Sequence, residues 1–217
     1  LFIKIVPPSG YPRNVLYCVI YHIKCESEIF RMKMYFYYGV MGSSKTANAL
    51  MKKFSFEEKG RKVAFLKPSL DTRNGKTLIK SRIGLSSEAF FLDRDASVRE
   101  TLGENAVYDI IMVDEAQFLS ESQVDELRDM ADNGVMVMCY GLKDNYSGRL
   151  FEGSKRIIEV CDTIREIQSM CTKCGSKAIM NARYSGDKII YEGNTIDIGG
   201  EEKYTTLCHR CWMKGTL

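Results

Sequence analysis

At 217 residues the chain is long enough for one domain of ordinary size plus a small appendage. Its 45% hydrophobic and 27% charged content is globular, which argues against a disordered or fibrous chain. The formal charge of +3 matches the surplus of Lys4, Arg13, Lys24, Arg31 and Lys33 over Glu26 and Glu28. Residues 34–217 are therefore neutral, without the basic balance of a nucleic-acid binder.

Residues 1–31 begin with Leu1 and hold three of the four prolines, Pro7, Pro8 and Pro12. They show neither a helical period nor clean alternation, and lack the ordered parts of a signal peptide. The expectation is a non-native or disordered extension, with translation starting at Met32 or Met34. A genuine N-terminal strand or hairpin is the competing reading. No run of about 18 apolar residues occurs, so a membrane partner is not expected.

From Met34 the chain alternates apolar runs with helical patterns, the rhythm of a parallel sheet covered by helices. Strands are expected at 34–38, 62–67, 89–92, 109–113, 135–140 and 163–167, and helices at 46–59, 97–105, 120–132 and 154–161. Ser97 and Glu100 have the spacing of a capping box. The polar stretches 69–85 and 141–149 read as loops, the first long enough to be functional. The fold class expected is α/β: a doubly wound parallel sheet over residues 32–167, followed by a small C-terminal unit at 168–217.

Three motifs carry chemistry. Gly39-Val40-Met41-Gly42-Ser43-Ser44-Lys45-Thr46 follows the first strand and opens the first helix. This is the context in which a P-loop wraps phosphate with backbone N–H groups, its lysine reaching terminal phosphates and its hydroxyl holding Mg2+. Ser44 occupies the usual glycine position and adds a Cβ where the backbone should approach phosphate closely. Asp114-Glu115 comes at the end of a central apolar strand, where P-loop enzymes hold Mg2+. Asp114 suits the metal, and Glu115 suits removal of a proton from an attacking hydroxyl. Arg73, in the long loop, could balance charge on a phosphoryl group, or could simply be solvated.

Of eight cysteines, Cys139 and Cys161 sit in apolar surroundings typical of buried thiols, and Cys18 and Cys25 lie in the extension. Cys171, Cys174, Cys208 and Cys211 form two C-x-x-C pairs, a tetrahedral thiolate set suited to structural Zn2+ in a reducing, hence cytoplasmic, compartment. The 33 residues between the pairs exceed a compact ribbon and call for an extended loop. The only histidines, His22 and His209, fall in the extension and in a knuckle. A histidine-based mechanism has no base, so a carboxylate must abstract any proton.

Gly-x-Met-x-Ser-x-Lys-Thr, Asp71-Thr72-Arg73, Asp114-Glu-Ala-Gln-Phe118, Phe151-Glu-Gly-Ser-Lys-Arg156, Ile198-Gly-Gly-Glu-Glu-Lys-Tyr204 and the paired knuckles together resemble the thymidine kinase family of bacteria and animal cytosol. The resemblance covers about Met34 to Lys214. It implies transfer of the γ-phosphoryl group of ATP to the 5′-hydroxyl of thymidine, with Glu115 as general base. Gly39 to Thr46, with Arg73, Asp114 and Gln117, would serve ATP and Mg2+, Asp114 through water. A zinc-ribbon loop would close over the nucleoside at Thr195, Ile196, Asp197, Ile198 and Gly199, with Tyr204 near the sugar. Met41, Phe118, Leu142 and Phe151 match positions lining the base pocket, though plain core packing explains each as well. Family members assemble as tetramers or dimers. Two rivals are an ATP-driven nucleic-acid motor, because Asp-Glu-Ala-Gln resembles a helicase motif, and a non-catalytic zinc-ribbon module with a degenerate P-loop.

Overall fold

The protein is described by a computed structural model over residues 33–70, 78–192 and 204–216. Six parallel strands form the main sheet: β1 (Met34–Tyr38), β2 (Val63–Pro68), β5 (Phe90–Leu92), β6 (Ile110–Val113), β7 (Met136–Gly141) and β8 (Thr163–Glu166). Their spatial order is β5-β2-β6-β7-β1-β8. The sequence expectation of a doubly wound parallel sheet is met strand for strand.

Both faces of this sheet are built from the period-two alternation of a strand, because successive side chains point to opposite sides. Met34 and Phe36, Ile111 and Val113, and Val137 and Cys139 point to one core. Tyr37, Ile110, Met112, Met138 and Tyr140 point to the other. Such continuous apolar runs are what a sheet buried on both faces requires. The first core is covered by α2 (Val98–Leu102), α3 (Glu121–Asp132) and α4 (Glu152–Val160). The second is covered by α1 (Lys45–Glu57), through Ala49 and Leu50.

Helix starts are set by local chemistry. Ser120 and Gln123 close a capping box on α3, each satisfying a backbone N–H of the other. Ser97 caps α2 by accepting from the Glu100 N–H. The reciprocal carboxylate is not Glu100, however. Glu126 of α3 accepts from the Ser97 hydroxyl (2.6 Å) and from the Val98 N–H (2.5 Å), so the cap also ties two helices together.

Two features differ from the sequence expectation. The stretch 69–85 is not loop throughout: β3 (Leu78–Lys80) and β4 (Ser86–Glu88) pair as an antiparallel hairpin, and Ile79 is buried in the second core. The C-terminal unit also has a sheet of its own, β10-β9-β11, built from β9 (Met180–Ser185), β10 (Lys188–Ile190) and β11 (Tyr204–Leu207). It is followed by the short helix α5 (His209–Met213). Residues 1–31, Arg73 and Thr195 to Gly199 lie outside the described residues. Among the described residues no helix is long and apolar enough to cross a membrane.

Candidate active site

The parallel sheet sends the C-terminal ends of β1, β6 and β7 to one edge, where ligands bind in open α/β folds. Three backbone segments converge there: the loop after β1, the acidic tip of β6, and the turn after β7.

The loop after β1 is shaped by close contacts. A Cβ on Gly39 would lie 2.4 Å from the Ile167 carbonyl oxygen and 2.5 Å from Ser43 Oγ, so only glycine fits. The loop turns as the Ser43 N–H bonds the Val40 carbonyl at 3.2 Å. Lys45 is buried, and its Nζ donates to the carbonyls of Gly39 (2.9 Å) and Val40 (2.8 Å), putting a cation at the centre of the loop. Helix α1 starts with no side-chain cap, leaving its first N–H groups and the positive end of its dipole at the loop.

Ser44, the one departure from the P-loop pattern, stands in the left-handed region at φ 64°, ψ 27°. The glycine preference at this position thus has a backbone cause. A left-handed L-residue costs about 1–2 kcal/mol that glycine does not incur. Ser44→Gly is expected to raise the melting temperature by about 1–3 °C and to keep or raise activity. Thermal unfolding and initial rates would check this; a collapse of kcat would mean that the serine hydroxyl is required.

At the tip of β6, Thr46 Oγ1 donates to Asp114 Oδ2 at 2.9 Å. Burial pushes the Asp114 carboxyl up to about 7, and the adjacent Glu115 charge adds to this; the Thr46 hydroxyl, Lys45 and Lys67 act the other way. A hydroxyl and a carboxylate joined at this distance are the hard oxygen donors that Mg2+ takes. A cation there would favour the ionised form that burial opposes.

Glu115 follows with φ 53°, an uncommon conformation for a residue with a long side chain. It is held by a neighbour that its sequence role did not anticipate. Gln117, in the 3-10 turn Ala116–Phe118, donates from Nε2 to Glu115 Oε2 at 2.6 Å. Its Oε1 accepts from the Leu142 N–H at 2.9 Å. The amide thus bridges the carboxylate to the end of β7, where Gly141 leaves it room: a Cβ there would lie 2.7 Å from Gln117 Oε1. Both ends of the Gln117 amide are committed to fixing Glu115.

Beside this turn the rings of Phe118 and Phe151 meet edge to face, centroids 5.9 Å apart. The Leu142 carbonyl accepts from the buried Ser154 hydroxyl at 2.5 Å, tying the end of β7 to α4. Phe118, Leu142 and Phe151 are each half-buried, leaving apolar surface next to Glu115. Met41 is half-buried in the P-loop, and Tyr204 opens β11, paired in register with Arg183.

In the C-terminal unit the sulfur atoms of Cys171, Cys174, Cys208 and Cys211 all lie within 4.8 Å of one another, with Cys174 and Cys208 at 3.6 Å. Four thiolates around Zn2+ at about 2.3 Å would be roughly 3.8 Å apart, so the cluster fits. Hydrogen bonds from Ser176 hold the Cys174 thiol down at about 6, whereas burial pushes Cys211 up to about 12, so a bound cation would have to favour the Cys211 thiolate.

Two residues that sequence reasoning did not select also reach the P-loop. Arg82, in the hairpin turn, brings Nη1 to 3.7 Å from where a Cβ on Gly42 would stand. Asn181, from β9, accepts from the Met41 N–H with Oδ1 at 2.7 Å. Neither belongs to a recognisable motif, because each reaches the loop only through tertiary packing.

The comparisons with known proteins agree with this geometry. A family model described as thymidine kinase matches residues 32–212. The thymidine kinase of Encephalitozoon cuniculi is 39% identical over 182 residues, covering 81% of this chain and 84% of that one. The thymidine kinase of Zymomonas mobilis is 39% identical over 187 residues, covering 84% and 96%. A Streptococcus pyogenes thymidine kinase is 38% identical over 181 residues, covering 82% and 95%. With a P-loop, a strand-end Asp-Glu pair and a four-cysteine cluster in one chain, the match over most of its length places it plainly: this chain belongs to the thymidine kinase family.

Proposed function

We propose that the protein transfers the γ-phosphoryl group of ATP to the 5′-hydroxyl of thymidine. The observation that carries this reading is the clamped Glu115, a carboxylate fixed by Gln117 one residue from the Asp114–Thr46 pair. A group that accepts a proton must be held within reach of the hydroxyl that loses it, and among the described residues the one histidine, His209, lies in a cysteine knuckle.

Each residue then has one task. The loop Gly39 to Ser44 holds the triphosphate, offering the N–H groups that are not already bonded within the protein, and Lys45 supplies charge to it. Thr46 and Asp114 would hold Mg2+, which would neutralise charge on the phosphates. Arg82 faces the loop from the hairpin turn, and Arg73 is a second candidate cation from the same region. Glu115 takes the proton of the 5′-hydroxyl. Phe118, Leu142, Phe151 and Met41 offer the apolar wall for the base, while Thr195 to Gly199 and Tyr204 would cover the nucleoside. The four cysteines hold structural Zn2+ in a ribbon over residues 168–217, appended to the P-loop domain at 32–167.

Self-assembly into a tetramer or dimer accords with exposed apolar side chains. Met51 and Phe54 on α1 stand at 53% and 62% exposure, and Ile83 in the hairpin turn at 69%. A reducing, cytoplasmic location accords with thiols kept free for metal. The motor reading lacks a basic track and a second ATPase lobe in the residues at hand. The non-catalytic reading rested on Ser44, which adopts the backbone conformation the P-loop needs.

The test is transfer of label from ATP across the natural nucleosides. Labelled thymidine monophosphate is the expected product, with purine nucleosides poor acceptors. ATP consumption stimulated by DNA or RNA without a nucleoside product would overturn the proposal.

A further inference from the structure

The C-terminal unit does more than carry metal ligands, because it is packed into the P-loop. Val40 is buried in the same cluster as Cys171, Ala178, Ala182, Ile189, Leu207 and Cys211. Next to it, Asn181 bridges two segments of the sheet domain. Its Oδ1 accepts from the Met41 N–H at 2.7 Å, and its Nδ2 donates to the Asp144 carbonyl at 3.1 Å. Asn181 is only 3% exposed.

The peptide that Asn181 grips is the one joining Val40 to Met41. In a trans peptide the C=O and N–H point in opposite directions. The Val40 carbonyl faces inward, accepting from Lys45 Nζ at 2.8 Å and from the Ser43 N–H at 3.2 Å. The Met41 N–H faces outward to Asn181. Fixing one end of the peptide therefore fixes the other. Without Asn181 a part-buried N–H loses its acceptor, and rotation of the peptide would turn the Val40 carbonyl away from Lys45.

We propose that Asn181 is a positioning residue for ATP: it sets the orientation of the Val40–Met41 peptide, and through it the shape of the P-loop and the place of Lys45. The idea rests on the reading of this loop as the ATP site. It acts across the domain boundary, so the C-terminal unit tunes the phosphate end of the site as well as the nucleoside end.

The experiment uses zinc-loaded full-length protein and two near-isosteric variants. Asn181→Leu fills the space without an acceptor, and Asn181→Asp keeps the acceptor toward Met41 while giving up the donor toward Asp144. Losing this contact is expected to raise KM for ATP about tenfold in Asn181→Leu, with a smaller rise, about two- to threefold, in KM for thymidine through the Met41 side chain, and zinc content unchanged. Asn181→Asp should recover most of the ATP affinity. Hydrogen exchange of the 39–44 backbone should accelerate in Asn181→Leu and not in Asn181→Asp, a readout that does not depend on turnover. The proposal is overturned if KM for ATP and loop exchange stay at the wild-type level in Asn181→Leu, if both variants are equally impaired, or if the thymidine constant rises as far as the ATP constant. Lys45→Ala separates the two levels of failure. Should it leave KM for ATP unmoved, the loop is not the ATP site; should it raise KM while Asn181→Leu does not, only the role of Asn181 falls.

Discussion

Glu115→Gln is expected to lower kcat by about 10²–10⁴-fold, the usual contribution of a general base, while thymidine binding stays close to wild type. Glutamine has the same shape as glutamate and keeps an oxygen for the Gln117 Nε2, so the 3-10 turn should survive the change. What it lacks is basicity. The neighbouring carboxylate is a poor substitute, because Asp114 is buried and already bonded to Thr46. Rapid-quench measurement of the phosphoryl-transfer step, with thymidine binding followed by calorimetry on the same variant, separates chemistry from affinity. A kcat within tenfold of wild type would remove Glu115 from the mechanism.

Much of this arrangement was legible in the sequence, for a physical reason. Five of the six strands of the main sheet are short and apolar, Thr163–Glu166 being the exception, and most are separated by helical patterns that local periodicity records. Lys45, Thr46, Asp114 and Glu115 each lie at the end of such a strand or the start of a helix. Placing the element therefore places the side chain. What could not be read were contacts made across long sequence separations. Gln117 was expected near the nucleotide, yet its amide bonds Glu115 and the Leu142 N–H, 25 residues on. Glu126 completes the cap of α2 from another helix. Asn181 reaches Met41 across 140 residues. The β3–β4 hairpin was hidden because its strands span three residues each, too short for alternation to register.

Ser44 illustrates a different kind of miss. The residue was suspect because its Cβ might crowd a phosphate. The structure adds a backbone cost, a positive φ at an exposed residue. The same departure from the P-loop pattern thus becomes a modest stability term and leaves the shape of the loop intact.

The cysteine cluster leads to the second large effect. Cys211→Ser, or exhaustive chelation, should abolish the metal site and with it most of the activity, even though no cysteine lies among the residues assigned to the reaction. Zinc held by four cysteines contributes about 10–16 kcal/mol of apparent binding energy in small metal-folded units, more than the C-terminal unit can replace with its small core. That core consists of Val40, Ala178, Ala182, Ile189, Leu207 and the ligands Cys171 and Cys211 themselves. Loss of metal therefore loosens the packing around Val40 inside the P-loop, as well as the strand that delivers Tyr204. Both substrates should be affected alike, in contrast to the mainly ATP-directed defect expected of Asn181→Leu. Metal content, melting temperature and both KM values measured along a chelation series should fall out of the wild-type range together, and restoring Zn2+ should return them together. Wild-type constants in metal-free protein would mean that the ribbon is held by its apolar contacts alone, and that the phosphate loop does not need it.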